Sequence, residues 1–245
     1  MATLEKGYSQ DQFEQNYPAG NEQMWWIQAR HRVVLRYLRL SGGDKMTVLD
    51  FGCGTGSTVR LLRGAGIDCY GCELSPAPIA PDVRSYIMSP ADVLDLPREI
   101  RERTRTILAL DVLEHMMDPK QLLRSLKQAY PNLEHVLCTL PARKELWSNY
   151  DTYFGHYRRF SRSTAKTLLQ EAGYRVSYAG YFFHLLYIPF WLAIRWRKER
   201  SLHTPPPKYR VLDGLLAWFC ALEERVIPGS WVGTSVFVMA VPEHE

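Results

Sequence analysis

Apolar residues recur along this chain in two rhythms. Short runs at 47–51, 69–73, 106–110 and 136–140 read as strands, and the apolar character of the first suggests burial on both faces. Residues 85–88, 175–180 and 234–241 add three further strands, the last with alternating character. Between them lie stretches with helical spacing: 21–40, 57–65, 98–105, a helix opened by Asp118 and Pro119, 161–173 and 209–225. In 21–40 the residues Met24, Ile27, His31, Val34, Leu35 and Leu38 fall near one face. That helix reads either as packing, with Trp25 and Trp26 covering a sheet, or as a lid over a ligand site. Strands alternating with helices predict an open α/β fold. Residues 1–20 are polar and read as a loosely held lead-in, and 75–81 holds three prolines, so a helix there must be short or irregular.

The first strand ends in Val48-Leu49-Asp50-Phe51-Gly52-Cys53-Gly54-Thr55-Gly56 and runs straight into a helix. Glycines alternating in such a turn let a ligand approach the backbone, and the helix start adds unpaired N–H groups. Glu73 closes the second strand, where a carboxylate can accept both hydroxyls of a ribose. Asp92, after the third strand, is placed to accept from an adenine amino group. The fourth strand runs into Asp111-Val112-Leu113-Glu114-His115, at the carboxyl edge where open α/β sheets bind ligands. Asp118, Pro119 and Gln121 are explained as a helix cap; Glu114 and His115 are not.

The bulk numbers narrow this picture modestly. The chain has 245 residues, enough for a single domain over 1–245 with elaborations, and 46% of it is hydrophobic. A formal net charge of +4 requires no nucleic-acid partner. Five cysteines scattered through apolar segments fit a reduced, cytoplasmic setting, and Cys69-x-x-Cys72 lacks the second pair that a zinc site requires. The first residues carry no apolar signal region, and nothing reaches the ~20 apolar residues of a membrane span. Between the sixth and seventh strands, 181–230 forms a hydrophobic helical insertion. It opens with an almost wholly apolar run, continues through Arg195 to Arg200 and a Pro205–Pro207 spacer, and ends in a helix with Val211, Leu215, Trp218, Phe219 and Leu222 on one stripe. It reads as a buried cap on an acceptor pocket or as a surface lying on an anionic membrane, at the inner face.

Together these residues resemble the class I S-adenosylmethionine-dependent methyltransferases. Asp50 to Gly56, Glu73, Asp92 and Leu113-Glu114-His115-x-x-Asp118-Pro119 match that family's motifs in order and spacing. Gly155-His156-Tyr157-Arg158-Arg159-Phe160-Ser161, with the upstream Trp25, Trp26, Arg30 and Arg32, resembles its bacterial small-molecule branch. The resemblance implies a Rossmann-like seven-stranded, mostly parallel sheet of order 3-2-1-4-5-7-6 flanked by helices. It implies S-adenosyl-L-methionine as methyl donor, with S-adenosyl-L-homocysteine as product. The residues it assigns to the cofactor are Asp50, Gly52, Cys53 (backbone only), Gly54, Gly56, Glu73, Leu74, Asp92, Val93 and Asp111.

For a hydroxyl acceptor a proton must also leave, and histidine is the natural base near neutral pH. His115 and His156 are the candidates, with Tyr157 positioning the acceptor. No pair of metal-binding acids stands out, so no metal is expected. The expected reaction is methyl transfer to a small-molecule or lipid- or saccharide-linked acceptor, at oxygen. The competing reading is a noncatalytic cofactor-binding partner of a membrane or complex.

Overall fold

The computed structural model describes residues 9–18, 20–197, 199, 201–202 and 209–243; the Pro205–Pro207 spacer lies outside them. Seven strands, β1 (Val48–Phe51), β2 (Cys69–Cys72), β3 (Ile87–Met88), β4 (Thr106–Leu110), β5 (His135–Pro141), β6 (Tyr174–Phe182) and β7 (Ser235–Pro242), form one sheet. Its order is β3-β2-β1-β4-β5-β7-β6, as expected. All neighbours are parallel except β7, which runs antiparallel to both β5 and β6.

The apolar runs have the burial they imply. Every residue of β1 and β4 is buried, and successive side chains enter opposite cores. Leu49, Ile107, Val136 and Cys138 face a layer containing α5 (Pro119–Ala129) and α7 (Arg162–Glu171). Val48, Leu108 and Leu137 face α2 (Trp25–Leu40) and α3 (Ser57–Gly64) through Val34, Leu38 and Leu62. Asp118 caps α5, accepting from the Gln121 N–H at 2.9 Å, and Pro119 occupies the first turn.

Two sequence expectations change, and one further helix is added. Residues 9–17 are not a loose lead-in: Ser9 and Gln12 form a capping box that starts α1 (Gln10–Asn16). Its Phe13 is buried, and Tyr17 just beyond it lies against the glycine turn. The short α4 (Arg98–Arg103) is as expected, but the loop after β5 contains a further helix, α6 (Asn149–Tyr153). The insertion also divides. In α8 (Tyr187–Arg197), Phe190 and Ile194 turn toward a cavity under the helix, and Trp191 and Trp196 turn outward.

In α9 (Arg210–Val226) the apolar stripe is exposed instead of buried: Val211 is 80%, Leu215 61% and Trp218 57% accessible. The inward face holds Ala217, Cys220 and two acids with dedicated partners. Glu223 accepts the His184 and Leu185 N–H groups at 2.7 and 3.1 Å. Glu224 pairs with Arg36 and accepts the Tyr37 hydroxyl. Charged acceptors with several partners offset the cost of burying them, and this fixes which side of α9 turns inward. Among the described residues no helix is long and apolar enough to cross a membrane.

Candidate active site

The turn after β1 is set by backbone conformation and by crowding. Gly52, Gly54 and Gly56 all have positive φ (71°, 55° and 87°), a region costly for residues with a Cβ. At Gly56 a Cβ would also lie 2.3 Å from Ile87 Cδ1, and at Gly52 2.7 Å from Val112 Cγ2. The reason for glycine there is packing as much as ligand approach. Gly54 is the exception: it faces the Tyr17 ring across a narrow gap. Its N–H donates to Glu73 at 3.0 Å, and the Ser75 N–H reaches the other oxygen of that carboxylate at 3.1 Å. Burial raises the Glu73 pKa, and the N–H groups of Ser75, Gly54 and Leu74 oppose the shift.

Gly52, Gly54, Glu73, Leu74 and Asp111 line one side of a cavity of about 770 Å³, with Phe13 and Tyr17 opposite. Five of the ten residues assigned to the cofactor are thereby brought together. The other five stand apart from this lining. Asp50 is buried beneath the turn; burial lifts its pKa to about 7, Arg30 opposing and Glu73 adding. The Cys53 N–H, expected to serve the cofactor, is spent on the Cys72 carbonyl at 3.1 Å. Gly56 is closed over by Ile87. Val93 is a core residue whose carbonyl accepts the Tyr130 hydroxyl. The Asp92 carboxylate holds its own turn through the Leu94 N–H at 2.9 Å.

A second cavity, of about 360 Å³, opens beside the first. Trp25, Trp26 and Arg30 from the first turns of α2 line it, with Phe183, Phe190 and Ile194 from the insertion. Only the start of α2 reaches this cavity; Val34 and Leu38 further along pack on the sheet. Tyr17, Asp111 and His115 line both cavities and stand where they meet. Asp111 has a positive φ of 56°, an uncommon conformation for a residue with a side chain. Its carboxylate is fixed by Arg30 and by the Thr139 hydroxyl at 3.1 Å.

The two candidate histidines meet. The rings of His115 and His156 pack edge to face, with centroids 4.6 Å apart. His156 Nδ1 lies 2.9 Å from Asp151, a fully buried carboxylate that also binds Arg159 and accepts the Ser148 N–H. Burial alone would raise Asp151, but the His156 hydrogen bond and the Arg159 charge outweigh it and hold the group at about 2. Burial, with His156 adding, depresses His115 to about 3, so its ring is neutral at physiological pH. Glu114, also in the second cavity, is 1% exposed and pushed well above the usual carboxylate range by burial, Asp111 adding.

Tyr157 stands on the other side. It lines the first cavity, 47% exposed, with its N–H on the Glu114 carbonyl. Arg30, Asp151 and Arg159 were visible in the sequence as polar groups among aromatics, but nothing local showed that they pair. Tyr17 could have been found through the capping box at Ser9, which signals a helix where a loose segment was expected.

A family model described as a methyltransferase domain matches residues 25–179. No curated relative matches the chain in sequence. Among solved structures, a SAM-dependent methyltransferase from Archaeoglobus fulgidus superposes with a TM-score of 0.53 at 16% identity, covering 94% of this chain and 97% of its own. The 1,6-didemethyltoxoflavin-N1-methyltransferase of Burkholderia thailandensis, solved with its substrate and S-adenosylhomocysteine, gives 0.55 at 16% identity, covering 90% and 81%. The magnesium protoporphyrin IX methyltransferase of Synechocystis, solved with S-adenosylhomocysteine, gives 0.50 at 16%, covering 88% and 83%.

Proposed function

This chain belongs to the methyltransferase domain family, the class I S-adenosylmethionine-dependent enzymes, and from that premise we propose that it methylates a hydroxyl of a small or lipid-linked acceptor. One observation carries the reading: a cavity lined by the glycine turn and Glu73 opens, at Asp111 and His115, into a second cavity with aromatic walls and two histidines. S-adenosylmethionine supplies an electrophilic methyl group on a sulfonium centre.

The chain's residues fit that donor. An ionised carboxylate has about four lone-pair sites, and the N–H groups of Gly54, Ser75 and Leu74 occupy only part of Glu73, leaving capacity for a ribose hydroxyl. The Gly52 and Gly54 backbone lines the space for the methionine portion. Trp25, Trp26 and Phe190 wall the acceptor side. His156, held by Asp151 through Nδ1, presents Nε2 to take a proton from an acceptor hydroxyl; the carboxylate fixes the tautomer and stabilises the protonated ring. His115 positions the acceptor at the junction. Much of the catalysis comes from holding donor and acceptor in line, an effect worth up to about 7–11 kcal/mol in oriented systems.

Calorimetry with S-adenosylmethionine tests the donor assignment: the folded protein binds it, and Gly54→Val abolishes binding. Transfer of labelled methyl to acceptors in a cell extract tests the reaction, with His156→Asn slowing turnover and leaving donor affinity intact. Absence of donor binding by the folded chain would end the reading.

The outward faces of α8 and α9 support a further element of the same proposal, docking on an anionic membrane surface. Trp191, Trp196, Trp218, Phe219, Val211 and Leu215 are exposed beside the exposed Arg195, Arg210 and Arg225. Apolar and aromatic groups flanked by arginines suit the headgroup boundary. Vesicles containing anionic lipid should sediment the wild type and not a Trp191→Ala/Trp196→Ala/Trp218→Ala variant. Equal sedimentation of the two, or none of either, removes the membrane element.

A further inference from the structure

Glu114, His115 and His156 come from two different loops, yet their ligand atoms all lie within 4.8 Å of one another. A cation bound at about 2.0–2.2 Å by nitrogen and oxygen ligands separates those ligands by about 3–4 Å. Side-chain movements of well under about an ångström would therefore close the cluster on one ion.

Three features distinguish this cluster from a chance meeting of polar groups. Both Glu114 carboxylate oxygens are buried and have no hydrogen-bond partner. A carboxylate left that way costs about 1–3 kcal/mol or more, and native structures rarely leave one without a use. Each histidine also has one ring nitrogen engaged by an acceptor. His156 Nδ1 is on Asp151, and His115 bonds the Phe154 backbone. A carboxylate or carbonyl on the far nitrogen is the usual outer partner of a metal-ligating histidine, fixing the tautomer and ring orientation. Finally, the nearby cations are already neutralised: Arg159 by Asp151 and Arg30 by Asp111.

We propose that Glu114, His115 and His156 form a binding site for one divalent transition-metal ion at the inner end of the acceptor cavity. Two imidazoles and one carboxylate suit zinc, manganese, cobalt or iron(II) and leave coordination positions open. Those positions lie toward the second cavity, which Glu114, His115 and His156 all line. An acceptor hydroxyl on the open side would become more acidic and release its proton to solvent. Base and ligand use the same Nε2 lone pair of His156, so in the metal-loaded protein the cation replaces the base. The site stands on geometry alone; its part in turnover rests on the methyltransferase reading.

Cobalt(II) is the probe. The full chain, stripped with chelator, is titrated with cobalt(II) and followed by visible absorption, beside Glu114→Gln, His156→Asn and the double variant. S-adenosylhomocysteine affinity and circular dichroism are measured on each metal-free protein. The wild type should bind one equivalent with a nitrogen- and oxygen-ligated spectrum. Each single variant should weaken binding at least about tenfold, and the double variant should lose it, all with unchanged circular dichroism. Equal cobalt affinity in the double variant overturns the site. So does a thiolate charge-transfer band, which would move the metal to one of the five buried cysteines, or absence of stoichiometric binding by the folded wild type. Should only S-adenosylhomocysteine binding fail, the methyltransferase reading falls and the metal site remains.

Discussion

Removing the Glu73 carboxylate separates cofactor recognition from fold. The side chain sits at the end of β2, half-buried, its two oxygens held by Gly54 and Ser75. It lines the larger cavity, where a charge-assisted bond to a ribose hydroxyl contributes about 1.5–3 kcal/mol, and a loss of that size is expected for Glu73→Ala. That is about 10- to 150-fold in the S-adenosylhomocysteine dissociation constant. Glu73→Gln keeps one acceptor oxygen and should fall between wild type and the alanine variant. The fold should persist, because Gly54, whose N–H would lose its acceptor, lines a cavity large enough for water. Titration calorimetry reads the affinity and thermal unfolding reads the fold. An alanine variant that stays folded and binds within about threefold of wild type would refute the role given to this carboxylate.

Two further predictions concern stability. His31 is buried on α2, its Nε2 3.2 Å from the Thr58 hydroxyl, and burial together with Arg30 lowers its pKa to about 3. The unfolded chain binds a proton there from about pH 6.5 downward and the folded chain does not, so wild type loses stability as pH falls from about 6.5 toward 3. His31→Gln should remove that loss and gain on wild type by up to about 1.4 kcal/mol per pH unit across this window, read from urea unfolding at several pH values; parallel profiles would refute it. Gly56→Ala should cost about 2–4 kcal/mol, from the left-handed φ and the collision with Ile87, and a second change, Ile87→Ala, should recover part of it. If the double variant is destabilised by the full sum of the two single changes, the collision is not the cause.

The parts of the site written in contiguous residues were legible beforehand. The glycine turn, Glu73 after β2 and the Glu114-His115 loop after β4 follow from strand–turn–helix order, because open α/β sheets gather strand ends along one edge. The cap at Asp118 and Pro119 was equally local. Asp50, Cys53, Gly56, Asp92 and Val93 share those motifs and lie outside the lining of the larger cavity. Motif membership marks a neighbourhood; which of its atoms line a cavity depends on neighbours such as Ile87, Cys72 and Tyr130, which come from other elements.

Hydrophobic periodicity was enough to specify the alternation of strands and helices, and the family resemblance their order in the sheet. Periods of 2 and 3.6 are properties of the backbone, and a short window of sequence carries them. The facing of α9, the meeting of His115 with His156 and the closure of Tyr17 over Gly54 needed the folded chain. Each depends on partners far away in sequence: Arg36 for Glu224, Asp151 for the orientation of His156, the capped helix at Ser9 for Tyr17. An apolar stripe reports that a helix has two faces, and in α9 the acids with specific partners, rather than the stripe, chose the one that turns inward.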